Sequence, residues 1–475
     1  MRTAAFHTLG CKVNTYETEA MQQALLRAGY ELRSFEEPAD VYIINTCSVT
    51  NIADRKSRQM LHRAKSMNPD AVVVAAGCYA QAAGGKLKED TAVDLIVGNH
   101  EKREIAALLE RYFSSHDASR LCKTGGPEDC DFRADEKDQD TGNADRAACV
   151  AVGDIAAVRA YDDISADTMS DNTRAFLKIQ DGCNQFCSYC IIPYVRGRVR
   201  SRAFPELKEE VERFAAQGYR ELVLTGIHLS SYGRDLERIQ SAGEHAENLS
   251  DVICLLDRVE GIERIRVGSL EPQIVTEDFV RRLAGLRHFC PHFHLSMQSG
   301  SDAVLRRMNR HYSTAEFRRG VDTIRRVFPD AAITTDIIAG FPGETEEEFQ
   351  ETLAFTEEIC FYETHIFPYS RREGTRAAEM PGQCTRAVKA ARAEQLAALN
   401  RRHMREFRER RIGRWEEILV EEVAELNGRR YLLGNTREYV RIAAPLHENE
   451  TAPVNALISG QVTGFLTEEL LELQR

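Results

Sequence analysis

The chain has 475 residues, which predicts about three domains, and its 43% hydrophobic and 29% charged residues are typical of a soluble globular protein. No apolar run approaches the roughly 20 residues that span a bilayer, and the N-terminus lacks a secretory signal, so we expect a cytoplasmic protein with no membrane partner. The net charge of −12 argues against a uniformly basic nucleic-acid binder, although residues 114–171, with 14 acidic and 6 basic side chains, carry −8 of it.

Short apolar runs alternate with helical patterns at the start of the chain. Strands are predicted at 3–8, 41–45, 71–76 and 93–97, with helices at 15–28 and 51–67 between them. This alternation predicts an α/β fold with a doubly wound parallel sheet, which we assign to a first domain over 1–113. The acidic segment 114–172 is predicted to be an extended linker, and its cysteines, Cys122, Cys130 and Cys149, to be incidental thiols.

The alternation resumes in a second domain, predicted over 173–400. Strands are expected at 175–180, 220–225, 263–268, 292–297, 332–338 and 362–368, with helices at 206–217, 249–258, 276–286, 314–327 and 345–358. Six such units predict a partial (β/α)6 barrel with its active site at the C-terminal ends of the strands. A long helix over 385–411 follows, and the short Val/Ile/Leu runs of the last domain, 401–475, predict a small β-barrel.

Three cysteines follow the first strand of the second domain at CxxxCxxC spacing: Cys183, Cys187 and Cys190. In a cytoplasmic chain, cysteines indicate metal binding or catalysis rather than disulfides. Three thiolates can hold three irons of a [4Fe–4S] cluster and leave the fourth iron open. The alternative, structural zinc, wants four ligands, and no fourth Cys or His lies nearby; the closest candidate, His228, is far off in sequence.

Cys11, Cys47 and Cys78 are 36 and 31 residues apart, but each follows a predicted strand of the first domain. If those strands are parallel, all three thiols emerge at the carboxyl edge of one sheet, where open α/β folds place their ligands. A shared second cluster is therefore predicted. The alternative is that each cysteine is simply a small buried apolar residue near a strand end.

The CxxxCxxC loop resembles that of the radical S-adenosylmethionine (SAM) superfamily, and segments 9–14 (LGCKVN), 45–50 (NTCSVT) and 76–81 (AGCYAQ) resemble the signatures of its methylthiotransferase family. The resemblance covers nearly the whole chain except the linker. It implies two [4Fe–4S] clusters held by the six cysteines, SAM as cofactor and a C-terminal RNA-binding barrel (TRAM domain). One SAM would methylate a cluster-bound sulfur and a second would give the radical that drives C–S bond formation.

The resemblance also places SAM at the strand ends of the second domain. Gly226 lies in the glycine-containing segment expected near the SAM methionine, where the absence of a side chain lets the backbone approach a ligand. Ser269 and Glu271, Gln298, and Asp336 offer polar groups after the third, fourth and fifth strands. Each of these polar residues could equally serve a turn or a helix cap, as Thr345 with Glu348 does in a predicted capping box.

RNA contact is predicted from local positive charge, since phosphate binding needs a cationic surface rather than a positive total. Residues 386–414 hold ten basic and three acidic side chains, and the residues expected to contact RNA are Arg401, Arg402, Arg405, Arg408 and Arg411. A second basic cluster follows the CxxxCxxC loop at Arg196, Arg198, Arg200 and Arg202. Trp415, the single tryptophan, is interpreted as a core residue of the last barrel.

Several details resemble the branch of the family that acts on N6-threonylcarbamoyladenosine at position 37 of tRNA, among them segments 178–182 (KIQDG), 196–202 (RGRVRSR) and 225–229 (TGIHL). The expected partners are the tRNA anticodon loop and a reductant such as flavodoxin or ferredoxin, with the chain as a monomer. Two other branches remain alternatives: methylthiolation of N6-isopentenyladenosine-37 and of a ribosomal-protein aspartate. A non-catalytic iron–sulfur protein that binds RNA or transfers electrons is the alternative outside enzymes.

Overall fold

The computed structural model describes residues 1–121, 148–162, 164–169, 173–236, 247–447, 450 and 452–475. No helix in these ranges is both long and apolar enough to cross a bilayer. Cys122 and Cys130 lie outside the described residues. The first domain contains β1 (Thr3–Thr8), α1 (Lys12–Arg27), β2 (Glu31–Arg33), β3 (Val41–Thr46), α2 (Asn51–Met67), β4 (Val72–Gly77), α3 (Cys78–Leu87), β5 (Leu95–Val97), α4 (Ile105–Leu121) and β6 (Cys149–Ala151).

These strands form one parallel sheet in the order β2-β1-β3-β4-β5-β6, with helices packed on both faces. β3 and β4 are buried along their whole length, as expected for central strands of a doubly wound sheet. The predicted parallel sheet is confirmed. β6 comes from the segment that the sequence assigned to the linker, so that segment is not irregular throughout. Its buried Cys149 packs in the sheet core, which fits an incidental thiol.

The second domain is an incomplete barrel of six parallel strands, confirmed in the predicted order. The elements are β7 (Arg174–Asp181), α5 (Ile192–Val195), β8 (Arg200–Ser201), α6 (Phe204–Ala216), β9 (Glu221–Gly226), α7 (Leu249–Leu256), β10 (Arg264–Val267), α8 (Glu277–Ala284), β11 (His292–His294), α9 (Asp302–Arg307), α10 (Thr314–Val327), β12 (Ala332–Ala339), α11 (Glu346–Ile359), β13 (Glu363–Pro368), α12 (Arg376–Glu379) and α13 (Arg386–Glu409). The two parallel sheets β10-β9-β7 and β11-β12-β13 are joined by single bridges such as Leu270 to Leu295.

The side chains that pack in the hydrophobic core show which face of each barrel strand points toward the helices. Phe293 and Leu295 of the β11 segment and Ile333 and Ile337 of β12 pack toward the helices. Side chains alternate along a strand, so the residues between them face the barrel lumen. The capping box predicted at Thr345 and Glu348 is present at the start of α11.

The last strands are β14 (Trp415–Leu426), β15 (Arg429–Asn435), β16 (Arg441–Pro445), β17 (Leu457–Phe465) and β18 (Leu471–Gln474). They close a small barrel in the order β14-β15-β16-β18-β17. Trp415 is 71% exposed, so its interpretation as a core residue is wrong. It opens β14, where Ile418 and Val420 point inward; Trp415 lies on the opposite face of the strand.

The turn between β15 and β16 packs against the amino ends of the central-barrel strands. Arg174 donates a hydrogen bond to the Tyr439 hydroxyl at 2.6 Å, and Arg266 donates to the carbonyl of Arg437 at 2.9 Å. The Tyr439 ring also lies 5.4 Å from the ring of His292. The small barrel therefore forms the floor of the central lumen.

Candidate functional site

The structure brings Cys11, Cys47 and Cys78 to the carboxyl edge of the first sheet, as predicted. Cys11 is the N-cap of α1, Cys47 directly follows β3, and Cys78 begins α3. A side chain at Gly10, whose φ is +103°, would approach Cys47 Cβ to 2.8 Å and its Sγ to 2.9 Å. Only glycine fits there, because its positive φ and the close approach both exclude a Cβ. The Cys11 loop is thus held tightly against Cys47.

The sulfur of Cys78 receives hydrogen bonds from two buried side chains. The Arg196 Nε donates to it at 3.3 Å, and the Asn99 amide donates at 3.7 Å. Arg196 follows the CxxxCxxC loop in the second domain, so it joins that loop to the first cysteine trio. Burial raises the pKa of the neighbouring Cys47 thiol to about 11. Such a thiol becomes a thiolate when a metal ion replaces its proton.

Behind Cys78 lies a buried ionic network centred on Glu17 of α1. Lys102 Nζ is 2.6 Å and Lys178 Nζ is 2.7 Å from the Glu17 carboxylate, and Arg196 also pairs with it. Lys178 is in addition 2.7 Å from Asp181. Burial alone would raise the pKa of Glu17, but the charges of Arg196, Lys102 and Lys178 hold it well below its usual range. The network spans both domains and fixes their relative position beside the cysteines.

This network corrects one prediction from the sequence. Arg196, Arg200 and Arg202 are buried, so they are not part of a surface for RNA; Arg198 alone of the second basic cluster is exposed. Arg200 lies 3.6 Å from Asp181, and Arg202 pairs with buried Glu210. The regular spacing of these arginines in the sequence therefore reflects ion pairing inside the protein.

The CxxxCxxC loop leaves β7 through Gly182, where φ is +71° and a Cβ would lie 1.8 Å from the Arg198 carbonyl oxygen. Burial raises the pKa values of Cys183 and Cys190 to about 12. The Arg310 guanidinium donates to Cys187 Sγ at 3.4 Å. Each cysteine trio thus has one sulfur that accepts a hydrogen bond from a buried arginine.

Arg310 also makes two hydrogen bonds of 2.8 Å with the Glu271 carboxylate. His228 lies 3.5 Å from the same carboxylate, and its Nδ1 is 2.6 Å from the Ser231 hydroxyl. Burial favours protonation of Glu271, yet the hydrogen bonds from His228 and Arg310 bring its pKa below the usual value. His228 is therefore engaged with Ser231 and Glu271, which makes it a poor fourth ligand.

The cysteine trios are less compact than a group of three ligands around one zinc ion. Among the described residues, the group of three ligand atoms that lie within 4.8 Å of one another is His294, Asp336 and His365, and neither cysteine trio belongs to it. A tetrahedral zinc with Zn–S bonds of about 2.3 Å would bring its sulfurs to about 3.8 Å. Binding of the two clusters by the six cysteines stays a prediction.

The residues predicted to bind SAM lie in one region of the second domain, but the surroundings of their side chains differ. Gly226 ends β9 and packs against Gln180, and Ser269 is exposed. Glu271 is the buried partner of Arg310, so its carboxylate is already committed within the protein. Gln298 has φ +68° and bonds through its backbone to Asp336, whose carboxylate is 3.3 Å from His294 Nε2. SAM contact by these residues stays a prediction.

The arginines predicted to contact RNA fall into two groups on and after α13. Arg401, Arg402 and Arg405 are exposed and pair with surface glutamates. Arg408 and Arg411 are buried, and Arg411 is 3.0 Å from the Glu416 carboxylate. The first three remain candidates for phosphate contact, whereas the burial of the other two speaks against it.

Two family models match the chain: the Uncharacterized protein family UPF0004 over residues 3–98 and the Radical SAM superfamily over residues 177–356. A radical SAM methyltransferase, TsrM, from Kitasatospora setae has the same overall fold, with a TM-score of 0.54 at 14% identity over 77% of this chain and 73% of that one. The fold and the three-cysteine loop define a radical SAM protein with an added N-terminal cysteine domain.

Curated relatives define the family more closely. The chain is 39% identical to the threonylcarbamoyladenosine tRNA methylthiotransferase MtaB of Bacillus subtilis, over 93% of this chain and 90% of the relative. It is 37% identical to the Aquifex aeolicus protein of that name, with coverages of 90% and 95%, and 35% identical to a tRNA-2-methylthio-N(6)-dimethylallyladenosine synthase of Symbiobacterium thermophilum, with coverages of 87% and 83%. The chain belongs to the MtaB-like family of radical SAM methylthiotransferases.

Proposed function

We propose that this chain transfers a methylthio group to C2 of N6-threonylcarbamoyladenosine at position 37 of tRNA, using SAM and two [4Fe–4S] clusters. The hydrogen bond from Arg196 to Cys78 supports this most directly. Because Arg196 follows the CxxxCxxC loop and reaches the other trio, the two cysteine sets belong to one reaction site.

The cluster held by Cys183, Cys187 and Cys190 would supply the electron that cleaves SAM, and the cluster of the other trio would carry the sulfur. The protein residues provide position and charge. Arg310 holds Glu271 and Cys187 in fixed relation, and Arg196 does the same for Cys78 and Glu17. Buried, fully paired groups of this kind hold reactants in place without reorganising during the reaction.

For tRNA, the exposed arginines of α13 and the adjoining small barrel, which we propose to be a TRAM domain, offer a surface for the anticodon loop. The surface ion pairs of Arg401, Arg402 and Arg405 are worth at most about 1 kcal/mol each, so RNA phosphates can replace the glutamates. A monomer in the cytoplasm, reduced by a flavodoxin or ferredoxin, completes the proposal.

The test is nucleoside mass spectrometry of threonylcarbamoyl-modified tRNA after incubation with the reconstituted, reduced protein and SAM. Appearance of the 2-methylthio nucleoside is expected. The relative from Symbiobacterium favours one alternative, so tRNA carrying N6-isopentenyladenosine is the second substrate; product on that tRNA alone would reassign the branch. Absence of 5′-deoxyadenosine under all conditions would favour the non-catalytic alternative.

A further inference from the structure

Strands β11, β12 and β13 bring two imidazoles and one carboxylate together on the lumen face of the central barrel. The ligand atoms of His294, Asp336 and His365 all lie within 4.8 Å of one another. Asp336 is the register partner of His365 on the neighbouring parallel strand, and register partners project from the same face of a sheet. The topology of the barrel, rather than any spacing in the sequence, creates this group.

His294 is oriented with its Nε2 toward the Asp336 carboxylate. Its Nδ1 is 3.0 Å from the hydroxyl of Thr334, its own register partner on β12. Its Nε2 is 3.3 Å from Asp336 Oδ2. A hydrogen bond at one ring nitrogen is what orients the other nitrogen in metal-binding histidines. A tetrahedral ion with bonds of about 2.1 Å separates two of its ligand atoms by about 3.4 Å, which matches this contact.

The other polar contacts of the group are few. Apart from its contact with His294, the Asp336 carboxylate has no polar side-chain partner among the residues that the structure describes. The imidazole of His365 has no hydrogen bond or ion pair within the same ranges. The side chains of His294 and Asp336 are only 13% and 28% exposed, so both are largely withdrawn from water. A simple ion pair of these two residues would leave His365 without a role, whereas a bound cation engages all three.

The donor set identifies the class of cation. Two imidazole nitrogens and one carboxylate oxygen, with further positions open, bind divalent iron in oxygenases and zinc in hydrolases. Magnesium and calcium prefer ligand sets made of oxygen alone, and iron–sulfur clusters prefer thiolates. Three protein ligands also leave at least one coordination position for water or for an oxygen atom of a ligand in the lumen.

We propose that His294, Asp336 and His365 bind one divalent first-row transition-metal ion in the central barrel, in addition to the two iron–sulfur clusters of the proposed function. Asp336 would then contact this ion in place of SAM. The site does not depend on methylthio transfer, because the three ligands are assembled by the barrel strands themselves.

The test measures the binding of Mn(II) to cluster-loaded holoenzyme by electron paramagnetic resonance. Mn(II) favours oxygen and nitrogen ligands over thiolates, so the remaining cysteines compete poorly for it. The oxidised [4Fe–4S]2+ clusters are diamagnetic and give no signal. Loss of the six-line spectrum of free Mn(II) reports binding. We expect one Mn(II) per chain, with electron spin-echo modulation from the nitrogens of two imidazoles.

Two variants assign the site. His365→Gln should weaken Mn(II) binding at least about 10-fold and remove the modulation of one imidazole, because it deletes a ligand. Thr334→Val keeps all three ligands but removes the hydroxyl beside His294 Nδ1, and it should weaken binding about 10-fold. Because His365 is exposed, its replacement should leave the fold and the iron content unchanged.

The matched control is His62→Gln. His62 Nε2 is 3.1 Å from the Asp90 carboxylate on the surface of the first domain, and no third ligand atom among the described residues joins this pair. Its replacement should leave the affinity for Mn(II) unchanged.

The absence of Mn(II) binding to the wild-type protein at millimolar concentration, or equal affinities for wild type and His365→Gln, would overturn the site. Binding that His62→Gln weakens as much as His365→Gln would also overturn it, since general surface adsorption would then explain the result. A holoenzyme that binds Mn(II) as expected but makes no methylthio product would contradict the proposed function alone.

Discussion

Replacing Glu17 with Gln tests whether the buried ionic network holds the first two domains together. The substitution keeps the shape of the side chain but removes its charge. Lys102, Lys178 and Arg196 would then lack the carboxylate that all three contact. The site is buried, since Glu17 itself is only 1% exposed. Removing one partner from a buried ion pair costs about 3–5 kcal/mol, because the remaining charges stay buried without compensation.

The assay is urea unfolding followed by far-UV circular dichroism, on cluster-free and reconstituted protein. Fluorescence of Trp415 is unsuitable, since that residue is exposed on the last barrel and far in sequence from the network. The matched control is Glu36→Gln, which removes a carboxylate from an exposed pair with Arg63 and should leave the midpoint unchanged. A large fall in the midpoint is expected for Glu17→Gln alone.

The loss of stability in Glu17→Gln should become smaller as the pH falls. The folded-state pKa of Glu17 lies well below its usual value of 4.5, so its stabilisation is complete above that value and declines as the pH falls toward the folded-state pKa. The difference between wild type and Glu17→Gln should therefore be largest at neutral pH and shrink below pH 4.5. A difference under about 1 kcal/mol at pH 7, or one that grows on acidification, would refute the reasoning.

Four further substitutions test the site. Cys187→Ala should abolish SAM cleavage, measured as 5′-deoxyadenosine, whereas Cys47→Ala should keep cleavage and stop methylthiolation. Arg196→Gln should lower the midpoint potential of the cluster on the first trio, measured by redox titration with electron paramagnetic resonance, because a charged donor to a cluster sulfur is weakened. Gly182→Ala should lower the thermal midpoint, at a cost above about 1 kcal/mol, and much more than Gly218→Ala, which also has positive φ but open space around it.

The outcomes that contradict these predictions are specific. Methylthiolated product from Cys47→Ala would remove the first domain from the chemistry. An equal change of potential in Arg200→Gln, which lies in the same network without a bond to Cys78, would attribute the effect to general charge. Equal midpoints for the two glycine variants would mean that the Arg198 carbonyl moves away easily.

The sequence predicts the fold well because the strands are strongly apolar and evenly separated by helices. That regularity also places Cys11, Cys47 and Cys78 together, since each follows a parallel strand. The hydrogen-bond partners of the cysteines could not be predicted in the same way. Arg196 and Arg310 contact sulfur atoms that are 118 and 123 positions away in the chain, so no local spacing indicates them.

The errors have a physical cause in the ambiguity of charged and aromatic side chains. An arginine repeat has the same appearance on a surface as in a buried network, and only the acidic partners, Glu17 and Glu210, distinguish the two. Trp415 similarly could face either side of its strand, and the register of β14 turns it outward. Burial of polar groups depends on tertiary partners that periodicity does not contain.

The turn from Thr436 to Tyr439 gives the small barrel a structural role that is separate from any contact with RNA. This turn closes the central barrel at the amino ends of its strands. A chain truncated before β14 would therefore have a barrel that is open at both ends. Solvent could then enter the barrel from below, which would weaken the exclusion of water and of competing reactants from the site. Exchanging the last barrel between relatives would therefore alter the closure of the central barrel as well as any contact that the last barrel makes with RNA.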